Sequence, residues 1–301
     1  MSELYMWIRD YLMALAFDGK LPLSFQYGFV INALLCALFI GPVLGGVGTM
    51  VVTKRMAFFS QAIGNAAMTG VAIGVLLGES YTEPYVSMFG FCVLFGLVLQ
   101  YTKGRTQISS DTLIGVFLSI SLAMGASLLL FVSAKINTHV MESVLFGSIL
   151  AVDHTDMNVL LVVTAICALI GLPLYNGMLL ASLNPSLAHA RGVRVRSVDY
   201  LFVVLVTLVT VACLKIIGAV LVEALLLIPA AAARNISHSL PALVTRAVLI
   251  ATFSCVVGIL APMQFHIPVP TGGAIVIVAA LVFVVTTVIR ATTARFRGAS
   301  V

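Results

Sequence analysis

The sequence predicts an all-α, polytopic integral membrane helical bundle of eight or nine spanning helices, and three observations carry that reading. Apolar residues fill 61% of the 301 positions and charged residues 9%, whereas about a quarter of a soluble domain is charged. The apolar residues fall in blocks of roughly 20, the helical length that crosses about 30 Å of hydrocarbon. Runs such as Leu201 to Leu214 present apolar residues on every face, unlike the strict alternation of a spanning β-barrel.

Residues 1–25 carry Glu3, Arg9, Asp10, Asp18 and Lys20 among Tyr5, Trp7 and Tyr11. They lack the unbroken apolar centre of a signal peptide, and an amphipathic interfacial segment with aromatic anchors is predicted. Residues 26–290 form a transmembrane domain with spans near 26–52, 56–78, 84–102, 111–133, 157–175, 198–217, 218–233, 241–262 and 271–290. The segment 218–233 is short and follows its predecessor directly, so the pair reads either as two spans or as one long broken helix. Residues 291–301 are expected to be a basic cytoplasmic tail.

Lys54, Arg55, Lys103, Arg105, Arg191, Arg194, Arg196, Arg234, Arg290, Arg295 and Arg297 all fall on one side of this topology. The bias of Lys and Arg towards the cytoplasm makes that side the inside. The opposite loops, 79–84 and 262–270, carry neither residue, and the connection 134–156 falls outside with Lys135 as its one basic exception. The net charge of +5 is thereby accounted for without a nucleic-acid partner.

The five cysteines stand singly inside apolar runs, without a CxxC pair, as packing residues do. No GxxxxGK[ST] loop, GxSxG, HExxH or pair of catalytic carboxylates in one span is found. The chain is therefore expected to be non-catalytic and without a cofactor of its own, and to draw energy from a partner or an ion gradient.

Four blocks resemble the permease subunits of the ABC-3 family, which import zinc, manganese or iron. They are Lys54 to Ala66 (KRMAFFSQAIGNA), Ser110 to Gly115 (SDTLIG), Leu183 to Val193 (LNPSLAHARGV) and Lys215 to Ala231 (KIIGAVLVEALLLIPAA). Leu145 to Leu150 and Pro270 to Ala274 extend the likeness over roughly residues 40 to 290. The resemblance implies a type II-like ABC importer permease in a bacterial plasma or inner membrane. It also implies a homodimer or heterodimer of permeases with a pore at the interface, and two cytoplasmic ATPase subunits that hold ATP and magnesium. An extracytoplasmic metal-binding protein would deliver the divalent metal, and import would proceed by alternating access.

In the first block the family carries Asp and His four residues apart, on one helix face, where a carboxylate and an imidazole share a metal ion. Here Gln61 and Asn65 stand at those positions, and their neutral amide oxygens compete poorly for zinc. Three accounts fit: the amides bind a chelated metal, other residues bind the metal, or Gln61 and Asn65 pack helices through hydrogen bonds.

Glu223 stands inside an apolar run where the family generally has a small residue. A carboxylate at the bilayer centre costs roughly 2.5 kcal/mol or more on insertion scales, so it should face a cavity or a cation. It is a candidate replacement metal ligand, or a protonated or Lys215-paired residue that fixes packing. Lys215 lies about 12 Å from it along an unbroken helix, a distance that a kink at Gly218 would change. Lys215 otherwise snorkels to an interface or pairs as a buried charge with Asp111 of another helix.

Asp153-His154-Thr155-Asp156 reads as a solvated turn or a metal gate. His139, His189, His238 and His266 are single, and the twelve methionines form no Met-xx-Met ladder. Residues 183–197 combine Pro185, Ala188, Ala190 and Gly192 with Arg191, Arg194 and Arg196. The resemblance assigns this stretch to ATPase coupling through Pro185, Ala188, Arg191 and Gly192, and its alternative is a partnerless basic loop. The leading function is therefore a metal-importing permease subunit. Its rivals are the same machine carrying a chelate or other small polar solute, and a secondary carrier driven by protons through Glu223.

Overall fold

The computed structural model describes residues 27–79, 84–133, 154–265 and 269–298. The predicted interfacial segment, the 145–150 block, Asp153, His139 and His266 lie outside the described residues. Ten helices follow in order: α1 (Gly28–Thr53), α2 (Phe59–Leu76), α3 (Tyr85–Arg105), α4 (Ser110–Ser133), α5 (His154–Leu183), α6 (Pro185–Ala190), α7 (Val195–Ile217), α8 (Ala219–Ile236), α9 (Leu240–Gln264) and α10 (Thr271–Gly298). Among the described residues, all but α6 are long and apolar enough to cross a membrane, which gives nine candidate spans. Residues 291–298 continue α10 as helix.

The open question at 198–233 resolves as two helices. Gly218 adopts φ +80°, a conformation that a side chain would strain and that glycine takes freely. The interruption keeps its hydrogen bonds: the Gly218 N–H donates to the Leu214 carbonyl at 2.8 Å, and the Val222 N–H to the Gly218 carbonyl at 3.2 Å.

The chain divides into two compact units. One comprises Thr49–Gly147 and Asn158–Glu223. Here α2 is the central element: it packs on α3, α4 and α7, and 72% of its spanning stretch is buried. The Cys92 thiol of α3 donates to the Ile63 carbonyl of α2 at 3.7 Å. Lipid is as apolar as leucine, so such helices associate through close packing of small residues. Ala62, Gly64, Ala66, Ala67, Gly70, Ala72 and Gly74 supply the small surface of α2.

The other unit comprises Met1–Gly48, Ser148–Met157 and Ala224–Val301. Within it α9 packs on α10, and the two backbones come closest at Gly258, where an added Cβ would stand 2.5 Å from the Ile275 Cα. Gly258→Leu should therefore force the pair apart and cost about 1–3 kcal/mol, the range for overpacked cores. The loss is read as a lowered thermal midpoint of the purified chain in detergent. Gly90→Ala is the control: nothing lies within 4 Å of a Cβ there, and because alanine is the better helix former the midpoint should hold or rise.

Candidate functional site

Most of α2 is covered, and its polar exceptions are Gln61, which is exposed, and Asn65, which is half-buried. Their spacing of four puts both on one helix face. Between them Gly64 marks a close approach: a Cβ there would lie 3.3 Å from Leu214 Cδ1 and 3.5 Å from Ala219 Cβ. The interruption at Gly218 thus lies against the turn of α2 that carries the two amides. Glu223, half-buried, follows Ala219 by one turn on the same face of α8.

The fold therefore gathers the two elements that carry Gln61, Asn65 and Glu223 at one crossing. Among the described residues these three side chains hydrogen-bond to no other side chain, and no three His, Cys, Asp or Glu converge as a metal cage. An amide pair and a carboxylate at membrane depth without protein partners remain available to a ligand, whereas packing polar groups usually find one another.

Of the alternatives open to Lys215, the geometry fits snorkelling to a helix end. Its ammonium donates to the Tyr85 hydroxyl at 2.6 Å and lies 3.9 Å from the ring centroid, a cation–π geometry. Tyr85 opens α3 and Asp111 opens α4, so the membrane-crossing length of α3 separates them. Asp111 is moreover exposed. The predicted Lys215–Asp111 pair and the description of Asp111 as a buried charge are both overturned: Lys215 snorkels towards the end where α3 begins, and Asp111 sits at the opposite end.

At the cytoplasmic end, α6 is a well-defined single turn and a half. The Asn184 side chain caps it by accepting from the Leu187 N–H at 3.1 Å, and Pro185 occupies its first turn, where a missing N–H costs nothing. Gly192 at φ +77° ends it, and the Val193 N–H returns to the Ala188 carbonyl at 3.0 Å. Pro185, Arg191 and Gly192 are exposed and can meet a partner. Ala188 differs from the expectation, since it is wholly covered and anchors α6 to its own chain.

One feature of this end was not anticipated from sequence. Lys54, in the turn between α1 and α2, pairs with Asp199 in the second turn of α7 at 2.5 Å, with side chains 9% and 30% exposed. The ammonium also stands 5.0 Å from the Phe202 ring centroid, and Lys103 at the end of α3 reaches the Met56 sulfur at 3.8 Å. The pair ties the α1–α2 turn to the helix that carries α6. The one legible signal was an aspartate placed among cytoplasmic basic residues. Asp199→Asn leaves a largely covered ammonium unpaired and should cost about 1–2 kcal/mol, less than a fully buried pair because Asp199 is partly wet. Thermal unfolding in detergent measures it, and Lys54→Met in the Asp199→Asn background should recover most of the loss.

Comparison with known proteins agrees with this architecture. The model of the ABC 3 transport family matches residues 26–290. The manganese import system permease protein ScaB of Streptococcus gordonii is 34% identical over 260 residues, which cover 86% of this chain and 91% of the relative. The high-affinity zinc uptake system membrane protein ZnuB of Haemophilus influenzae is 26% identical over 86% of this chain and 97% of its own length. Among solved structures, PsaBC from Streptococcus pneumoniae in complex with Fab superposes with a TM-score of 0.73 at 31% identity, over 87% of this chain and 91% of the other. With a family match that runs from the first described helix into the last and a relative 34% identical over 86% of this chain, the chain belongs to the ABC 3 transport family.

Proposed function

We propose that this chain is the membrane-spanning, non-catalytic permease subunit of an ATP-driven importer of a divalent transition metal, with manganese as its substrate. The observation that carries the proposal is the match over 26–290, joined to the ScaB relative, whose name describes manganese import. The donor set supports manganese. Gln61, Asn65 and Glu223 offer oxygen only, and carbonyl and carboxylate oxygens suit manganese, whereas imidazole and thiolate draw zinc.

In this proposal a second permease chain closes the pathway over the face of α2 that carries Gln61 and Asn65. An extracytoplasmic metal-binding protein delivers the ion, and two ATPase subunits dock on α6 through Pro185, Arg191 and Gly192. ATP-driven movement of α6 passes into α7, which follows it after the Gly192 turn, and the Gly218 interruption lets α7 shift against α8 so that the route opens alternately to each side.

A second reading has its own support. Amides donate as well as accept hydrogen bonds, so Gln61 and Asn65 equally suit the carboxylates or hydroxyls of a chelator around the metal. Reconstituted vesicles holding the permease with its ATPase separate the two: accumulation of manganese without chelator supports the free ion, and accumulation that requires chelator supports the complex. Uptake by the permease alone under a pH gradient would overturn both in favour of a proton-driven carrier.

Glu223→Gln should lower manganese uptake at limiting metal about tenfold, the equivalent of ~1.4 kcal/mol of lost ligation, with basal ATP hydrolysis unchanged. Introducing Gln61→Asp together with Asn65→His should shift metal-stimulated ATP hydrolysis towards zinc. If neither change alters uptake or metal preference, these positions are packing residues outside the pathway.

A further inference from the structure

Beyond Glu223 the sequence contains no Asp or Glu through to residue 301, yet it carries Arg234, Arg246, Arg290, Arg295 and Arg297. The fold brings three of these arginines to one place. The Arg290 guanidinium donates to the Asn235 Oδ1 at 3.2 Å, and the Asn235 amide donates to the Thr287 hydroxyl at 2.9 Å. Arg246 donates to the Ile236 carbonyl. Two guanidiniums are thus fixed on consecutive residues directly after Arg234, at the end of α8.

The packing of α9 on α10 explains why they meet. With Gly258 opposite Ile275 and the helices antiparallel, the register puts Arg246 level with Thr287, one turn from Arg290. Among the described residues, none of the three arginines pairs with a carboxylate. Arg234 and Arg290 are exposed and Arg246 is half-buried. Beside them the Ser237 hydroxyl oxygen is covered and has no hydrogen-bond partner.

Three neighbouring guanidiniums without a carboxylate partner among the described residues, two of them held by hydrogen bonds, suit a phosphate ester. What lies one to two turns further into the membrane identifies its source. Leu249 and Phe253 stand three and seven residues along α9 from Arg246, and Phe283 seven residues back along α10 from Arg290, on the faces that carry these arginines; all three are exposed, so apolar surface continues from the basic cluster along α9 and α10. A free phosphate has no use for that surface, and a water-borne protein would not meet it. An amphiphile with an anionic head and hydrocarbon chains matches both halves.

We propose that the cytoplasmic end of α8, α9 and α10 binds the headgroup of an anionic phospholipid. Arg234 and Arg290 contact its phosphodiester, Arg246 fixes the 234–237 turn beneath it, and the acyl chains lie along Leu249, Phe253 and Phe283. Its physical basis is the attraction of juxtamembrane basic clusters to anionic lipid, a force that salt screens.

The test uses the full chain with its ATPase partner in phosphatidylcholine bilayers that do or do not contain phosphatidylglycerol. Native mass spectrometry should find phosphatidylglycerol retained over phosphatidylcholine by the wild type, with retention falling as ionic strength rises. Arg234→Gln with Arg290→Gln should reduce that retention about fivefold or more, while Arg234→Lys with Arg290→Lys keeps most of it. An unchanged thermal midpoint in pure phosphatidylcholine shows that the glutamine variant is folded; should it not fold, the lysine variant and the salt titration decide. Three results overturn the proposal: equal retention by the wild type and the glutamine variant, displacement of phosphatidylglycerol by inorganic phosphate, or loss of the ATPase from the variant with lipid retention intact. The last would make the cluster a protein-docking surface.

Discussion

The whole architecture depends on one constraint: hydrocarbon offers no hydrogen bonds, so each backbone N–H and C=O inside the bilayer must find its partner within the chain. That makes every described span helical and makes an interruption acceptable only where its polar groups stay paired. Gly218 meets the condition, because its N–H and carbonyl each keep a helical partner while φ turns positive. The chain passes from α7 to α8 with both hydrogen bonds of Gly218 itself kept. A residue with a side chain would have to hold the same turn under strain.

The same constraint sorts the polar side chains. Hydroxyls in the spans mostly turn back on their own helix, as Thr102 does to Val98, Ser182 to Met178 and Thr252 to Val248. Charges collect at helix ends, where Lys54 meets Asp199, Lys215 reaches Tyr85 and Arg246 caps α8. Gln61, Asn65 and Glu223 share their lack of a partner among the described residues with covered hydroxyls such as Ser60, Thr69 and Thr207, and differ from these in being exposed or half-buried. In the proposed importer that access is what lets them meet a substrate.

Hydropathy made the spans legible because hydrocarbon thickness sets a length that composition alone reveals. It failed where other forces act. The expected end of the fifth span at 175 stops at Pro173, Tyr175 and Asn176, yet α5 runs on to Leu183: a proline is tolerated inside a spanning helix when neighbours take up the freed groups. Residues 195–197, the start of α7, were missed because Arg194 and Arg196 read as a loop; Asp199, inside the expected span, is polar there to meet Lys54. That partner lies 145 residues away, and no local pattern encodes it. Residue types at the candidate site were legible for the opposite reason, because a carboxylate inside an apolar run is conspicuous wherever its neighbours fall. Its proximity to the α2 turn became visible only through Gly64.

In the proposed importer, the rigidity of α7 explains how the short helix before it can matter to the polar residues gathered beside its other end. α7 extends over 23 residues, about 34 Å at the helical rise, and 72% of its spanning stretch is covered. A helix so enclosed and so regularly hydrogen-bonded does not absorb a push by bending, and its first turns are fastened at Asp199. A displacement that α6 receives is therefore passed along α7 with little loss until the regular ladder ends. It ends at Gly218, beside Gly64, where an added Cβ would stand 3.3 Å from Leu214 Cδ1 near the end of α7 and 3.5 Å from Ala219 Cβ at the start of α8. A shift of a few tenths of an ångström there changes what the neighbouring amides can reach, which is why the interruption, the glycine contact and the unsatisfied polar groups make physical sense only together.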